Sequence, residues 1–330
     1  MLLPNRLPRP VRTLAALGLT LALAGCLGAE ELMSGGEAGS TPTLLVATTR
    51  QPAADASEKP WFSGRRGSGL VFAKARMAGP DRSLTGRVSA VVSGDWSVAA
   101  VTDLERDNAA AAFAQASLGR DVLLYVHGYR ESFETAAISA AQLSEGIRFR
   151  GATALFTWPS AASTFSYVAD RESAMWSRDA LEDLLTAIAR TPTGGRVHIV
   201  AHSMGTLLTL ETLRMLRGSG GEEAMSRIGA VVLAAPDIDI DLFTRGVERL
   251  GRDAQKITVI SATNDRALAV SSRLAGGVLR AGAADRERLE ALGVRVADAS
   301  EFGGGIINHD LFLSNAEVQQ VVKRAIDRER

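Results

Sequence analysis

The sequence predicts an α/β fold: a doubly wound, mostly parallel sheet with an N-terminal β extension. Three observations carry that prediction. Six short apolar runs rich in β-formers recur between residues 121 and 297. Each is too continuous for a strand with one wet face, so both faces must be covered. Helical patterns with an apolar stripe lie between them, and strand–helix alternation over about 200 residues is how parallel sheets are built.

The elements follow in chain order. Residues 43–48 (TLLVAT), 69–72 (GLVF) and 87–92 (RVSAVV) are β-like pieces separated by Gly and Pro loops. The continuous runs are DVLLYV at 121–126, ATALFT at 152–157, RVHIVA at 196–201, AVVLA at 230–234, KITVI at 256–260 and GVRVA at 293–297. Phe133, Ala137, Ala140 and Ile147 mark one helix face. Leu181, Leu184, Leu185 and Ile188 mark another at the i, i+3, i+4, i+7 spacing. Val318, Val321, Val322 and Ala325 line a C-terminal helix, for which Ser314 and Glu317 have capping-box spacing. No fixed-period repeat and no internal linker are visible, so residues 43–330 read as one domain.

Composition narrows the functions. The 330 residues carry 37 basic and 37 acidic side chains and no basic tract, which argues against a nucleic-acid partner. The single cysteine excludes an intramolecular disulfide and a cysteine-built metal site. Residues 1–25 hold Arg6, Arg9 and Arg12, no acid, and an uncharged apolar run at 14–24. That order is a secretory leader, and the run is too short to span a bilayer, which needs about 20 residues. It ends Leu23-Ala24-Gly25-Cys26, which resembles the bacterial lipobox. The resemblance implies lipidation of Cys26 and a membrane anchor. Leu27, rather than Asp, after the cysteine resembles Gram-negative lipoproteins of the outer membrane, here facing the periplasm. Residues 26–42 then read as a flexible tether. Without the leader, 34 basic residues face 37 acidic ones.

The most informative stretch is Val200-Ala201-His202-Ser203-Met204-Gly205. It joins a strand pattern to a helical run and reads G-x-S-x-G with Ala in the first position. Small residues let the backbone turn sharply, and the turn presents Ser203 at the carboxyl end of the sheet, at a helix N-terminus. A serine needs a base. The chain has four histidines: His127 ends a strand, His198 lies within one, His202 adjoins Ser203 and should point away from it, and His309 lies downstream in a Gly-rich loop. Folds built round this turn place the partners in the order serine, acid, histidine, which selects His309. Two acids follow strands between them, Asp265 after KITVI and Asp237 after AVVLA. Asp265 is the expected acid because it follows the next-to-last strand, with Asp237 the alternative. The other acid should serve a turn or a helix cap, as Asp239 and Asp241 also should. Backbone N–H groups of Met204 and of Tyr129, in the turn after DVLLYV, are the expected oxyanion donors. Trp158-Pro159-Ser160 reads equally as a pocket wall or a strand stop, Asp170 and Arg171 as a helix start or an ion pair near the site, and 266–292 as a packed helical segment or a lid.

Taken together, DVLLYVHGYRESF, ALFTWPS, SYVADRESA, HIVAHSMGTLL, AAPDID and ISATNDRAL resemble the bacterial esterase/lipase-like branch of the α/β-hydrolase superfamily. The resemblance covers about 121–310 and, with LLVATTR, reaches the family's first strand. It implies the α/β-hydrolase fold, a Ser203–Asp265–His309 triad, hydrolysis of small-molecule or lipid esters, and no metal or other cofactor. Thioester, peptide or envelope-lipid acyl cleavage by the same triad, or a non-catalytic envelope lipoprotein, remain open alternatives.

Overall fold

The computed structural model describes residues 42–53, 59–80, 96–104, 119–190, 195–219, 221–302 and 309–329. The expected leader, the tether up to residue 41 and the candidate strand at 87–92 lie outside them. Among the described residues no helix is long and apolar enough to cross a membrane.

The continuous apolar runs become the inner strands. β1 (Thr43–Pro52) is followed by β2 (Phe62–Ala78) and β3 (Ser97–Leu104). Then come β4 (Val122–Val126), β5 (Ala152–Thr157), β6 (Val197–His202), β7 (Ile228–Ala234) and β8 (Ile257–Ser261), almost wholly buried. β9 (Arg295–Asp298) is a short, half-exposed edge. GLVF is only the middle of the long β2, and β3 has no counterpart among the expected strands. Only Val98 of β3 is buried, so it lacks the apolar signature that marks an inner strand.

The nine strands form one sheet in the order β3-β2-β1-β5-β4-β6-β7-β8-β9. Pairing is parallel from β1 to β9, and β2 and β3 add antiparallel strands beyond β1, which is the expected N-terminal extension.

The pleat sorts side chains into two layers. Val122, Leu124 and Val126 of β4 face one core with Ile199 of β6 and Leu233 of β7, while Leu123 and Tyr125 face the other with Val200 and Val232. The first core is closed by helices α2 (Tyr167–Trp176), α3 (Arg178–Ala189), α4 (Met204–Gly218) and α6 (Ile240–Leu250); short α5 (Glu222–Arg227) precedes β7. Leu181, Leu184, Leu185 and Ile188 of α3 are buried there, as their spacing predicts. The second core is closed by α1 (Phe133–Gly146) and the C-terminal α10 (Ala316–Arg328). Between α6 and α10 lie α7 (Arg266–Leu274), α8 (Arg286–Glu290) and α9 (Leu311–Ser314).

Two caps differ from expectation. Asn315, not Ser314, caps α10, because its side chain accepts from the Glu317 and Val318 amides while Ser314 ends α9. Asp239 caps α6 as expected, but Asp241 lies inside its first turn and donates its own amide to Asp239.

Strand order reverses beside β4. The chain steps from β4 outward to β5, then returns to the opposite flank with β6. Crevices form at such a switch point, outside the carboxyl ends of the strands. Here the flanking segments are the turn after β4 and the turn after β6.

Candidate active site

Ser203 sits alone between β6 and α4, with φ 48° and ψ −119°. A non-glycine residue there carries strain of order 1–3 kcal/mol and needs a surrounding that enforces it. That surrounding is visible. The Ser203 N–H donates to the Ala234 carbonyl at 2.9 Å. Its carbonyl accepts from the Thr206 amide at 3.0 Å, the Thr206 hydroxyl at 2.5 Å and the Asp237 amide at 3.3 Å. A Cβ on Gly205 would fall 2.3 Å from the His127 carbonyl oxygen, and one on Gly128 would fall 2.9 Å from His202 Nδ1 and 3.0 Å from the Ser203 Cβ. The two glycines therefore let the turns after β4 and β6 touch. Ala201, the departure from a strict G-x-S-x-G, is fully buried at the end of β6.

Asp265 follows β8 and caps α7. One carboxylate oxygen, Oδ1, accepts from the Ala267 and Leu268 amides at 2.8 and 3.1 Å. The other, Oδ2, accepts from His309 Nδ1 at 2.8 Å. Burial pushes Asp265 up, but the His309 hydrogen bond and charge and the two helix amides outweigh it and hold the carboxylate below its ordinary range. An ionised carboxylate only accepts, so Nδ1 carries the proton and the neutral imidazole keeps Nε2 as its basic atom. Burial works against charge on His309 too, yet the bond to Asp265 and that carboxylate's charge prevail and raise the imidazole above 6.5. The loop at 303–308 that leads into His309 lies outside the described residues.

The turn after β4 is held by buried groups. Arg50, at the end of β1, is only 1% exposed, and burial pushes it down to about 10, so it remains charged at neutral pH. Its Nη2 donates to the Glu131 carbonyl at 2.7 Å, Nη1 to the Ser160 carbonyl at 3.1 Å, and Nε to the Thr157 hydroxyl at 2.8 Å. Asp170 grips the same turns, accepting from the Ser160 hydroxyl at 2.5 Å, the Ala161 amide at 2.9 Å and the Arg130 amide at 3.5 Å. Ser132 and Thr135 then close a capping box on α1. Tyr129 thus lies in a segment fixed on both sides, while Met204 is the first residue of α4, where amides have no intrahelical partner. Arg50→Met should lower turnover of any substrate cleaved at this site by about 10²-fold or more with KM little changed, the size of effect seen when an oxyanion donor is lost. Arg50→Lys should restore only part of it, since lysine cannot reach three acceptors at once. Steady-state kinetics on the two variants checks this.

Residues 105–326 match the family described as "Alpha/beta hydrolase of unknown function (DUF900)". The chain belongs to this α/β-hydrolase family. No curated protein sequence matches it. Among solved structures, an uncharacterised protein from Bacillus cereus ATCC 10987 aligns at 16% identity and TM-score 0.42, over 64% of this chain and 59% of that one. Est1E from Butyrivibrio proteoclasticus aligns at 10% identity and TM-score 0.42, over 78% and 95%. The catalytic core domain of acetyl xylan esterase from Trichoderma reesei aligns at 13% identity and TM-score 0.39, over 63% and 98%. The chain thus spans less than two thirds of the Bacillus protein.

Within this DUF900 hydrolase the two candidate acids part company. Asp237 does not face His309 as a hydrogen-bond partner. Its carboxylate pairs with Arg280 Nε at 3.2 Å, both side chains 3% exposed, and accepts from the Tyr167 hydroxyl at 2.9 Å and from Ser271. It is therefore neither a turn nor a helix cap, as expected of the unused acid, but the centre of a buried polar knot. His127 is structural: the Trp158 amide donates to Nε2 at 3.1 Å, Nδ1 donates to the Gly128 carbonyl at 2.8 Å, and the ring stacks on Trp158 at 4.8 Å. Trp158 itself is fully buried and donates to the His127 carbonyl at 3.0 Å, so it is not a cleft wall.

His202 corrects the expectation that it points away from the site. Its ring lies 4.6 Å from that of His309, and its Nε2 donates to the His309 carbonyl at 3.2 Å. Burial first, and the charge of His309 second, push it down to about 4, so it is neutral and able to brace the loop. Pleat parity was the available signal: His202 shares a sheet face with Val200, the face on which Phe312 and the C-terminal helix pack. Arg50 had no comparable signal, because the three acceptors at Glu131, Thr157 and Ser160 lie far from it in sequence.

Proposed function

We propose that this α/β-hydrolase is a serine esterase in which Ser203 is the nucleophile, His309 the base and Asp265 its orienting acid. The observation that carries the reading is the divided Asp265 carboxylate: one oxygen fixed by a helix, the other holding Nδ1 of a histidine so that Nε2 is free to accept a proton. Ser203, strained at the switch point, supplies a hydroxyl for it.

In the first half-reaction Ser203 Oγ attacks the ester carbonyl carbon and its proton passes to His309 Nε2. The carbonyl oxygen, now negative, is held by the Tyr129 and Met204 N–H groups. Collapse breaks the ester C–O bond, and His309 returns the proton to the departing alcohol. Water then repeats the sequence on the acyl-serine, giving the acid and free enzyme. Asp265 stays ionised throughout and stabilises the imidazolium. Lipidation at Cys26, with anchoring at the periplasmic face of the outer membrane, completes the proposal and rests on the leader pattern alone.

A fluorophosphonate probe tests the chemistry, since it bonds only to an activated serine. The expected result is one adduct, mapped by mass spectrometry to the peptide containing Ser203. An unlabelled Ser203 would favour a non-catalytic binding role.

A further inference from the structure

α7 carries apolar side chains on its solvent face. Its residues Arg266, Ala269, Val270, Arg273 and Leu274 recur at i, i+3, i+4, i+7 and i+8 and form the exposed stripe, whereas only Leu268 and the polar Ser271 are buried. Val270 is 54% and Leu274 62% exposed. The inward Ser271 hydroxyl joins the Asp237 knot, which also takes in Tyr167. That bond ties α7 to the start of α2, where Phe165 and Val168 flank Tyr167 and are 97% and 72% exposed. Beyond α7 the chain turns through Gly276 and Gly277 and returns with Val278 and Leu279 also open to solvent. The Ser272 hydroxyl fastens this turn to the Val278 carbonyl at 2.7 Å. Six large apolar side chains thus share one rim of the sheet, and the rim begins at Asp265, the residue that holds His309.

Its charge is one-sided. From residue 266 to 284 there are three arginines and no acid, in a chain with equal numbers of both. Arg280 turns inward to Asp237, while Arg266 and Arg273 stay exposed on the apolar stripe. Two copies packed by this face around a twofold axis would bring like charges together with no acid between them. A surface of anionic headgroups above acyl chains complements both features at once.

We propose that this rim, α7 with residues 165–168 and 275–279, docks on an anionic lipid surface. Binding stands on the patch alone. The consequence for substrate rests on the hydrolase reading: docking sets the Ser203 cleft against the bilayer, so the esters it meets are lipid-derived acyl esters.

The test uses the full chain carrying Cys26→Ser, which removes its one thiol. Leu274→Cys then receives an environment-sensitive fluorophore, and Gln320→Cys on α10, packed on the opposite sheet face, is the control. With phosphatidylglycerol vesicles the label at 274 should shift to the blue and brighten while the label at 320 does not change. Phosphatidylcholine vesicles should give a much weaker response, and adding Arg273→Glu with Val270→Asp should abolish it while leaving turnover of a short soluble ester intact. No change at 274, an equal change at 320, or a blue shift that grows with protein concentration without vesicles, the mark of a second copy, would each overturn the proposal. If no variant, nor the unmutated chain, hydrolysed any ester, the serine-esterase reading would fail while the lipid contact stood.

Discussion

Ser203→Ala should reduce turnover of a short p-nitrophenyl ester by about 10⁶-fold, the order of loss when a triad nucleophile is removed. In the proposed triad the loss is large because the three groups act as one unit: without the hydroxyl, His309 has no proton to accept and Asp265 orients a base with no task. Water could be activated in its place, but it lacks the fixed position that strain and four backbone-directed bonds give Ser203. Folding should survive, since the Ser203 side chain makes none of those bonds and alanine removes a single oxygen. Initial rates and a thermal melt on the same preparation measure both. Turnover at the unmutated rate would place the nucleophile elsewhere.

Asp265→Asn should lower kcat by about 10⁴-fold, because the amide can present an N–H to Nδ1 and so stabilise the wrong tautomer. The pH profile gives a second reading. In the unmutated enzyme His309 is raised above 6.5, so activity should fall as pH drops through that raised value, where the base takes up a proton. Removing the carboxylate removes the main group that raises His309, so the residual activity of Asp265→Asn should keep its acid limb at lower pH. Asp237→Asn predicts the reverse pattern. It leaves Arg280 buried without its partner carboxylate, which destabilises by about 3–5 kcal/mol, while the folded fraction keeps its turnover. Paired melts and pH–rate curves separate the two aspartates.

What the sequence made legible follows from where the signal is local. Ser203 is announced within six residues, since a tight turn demands small neighbours on either side. The inner strands are announced by unbroken apolar runs, because both their faces are covered. His309 and Asp265 were legible only through their order relative to Ser203, and Asp265 over Asp237 only through strand position; the hydrogen bond that distinguishes them spans 44 residues. β3 went unread because an edge strand with a single buried residue has no apolar period. Arg50 went unread for a different reason. Its worth comes from carbonyls at Glu131 and Ser160, donated by loops about a hundred residues away that no periodicity connects to it. α7 buries Leu268 but leaves Val270 and Leu274 open, so its pattern reads as an ordinary packed helix until the neighbours are known.

The position of β1 bears on how this enzyme can be cut. The recognisable family region begins at 105, yet β1 ends at Pro52 and is wedged against β5. A fragment trimmed to the recognisable boundaries would bare one flank of β5, an open template for self-association, and would pull the guanidinium out from between the two loops it unites. Anyone expressing the enzyme in pieces should therefore retain everything from Thr43 onward, because the upstream arm is a keystone of the proposed site rather than a dispensable preface.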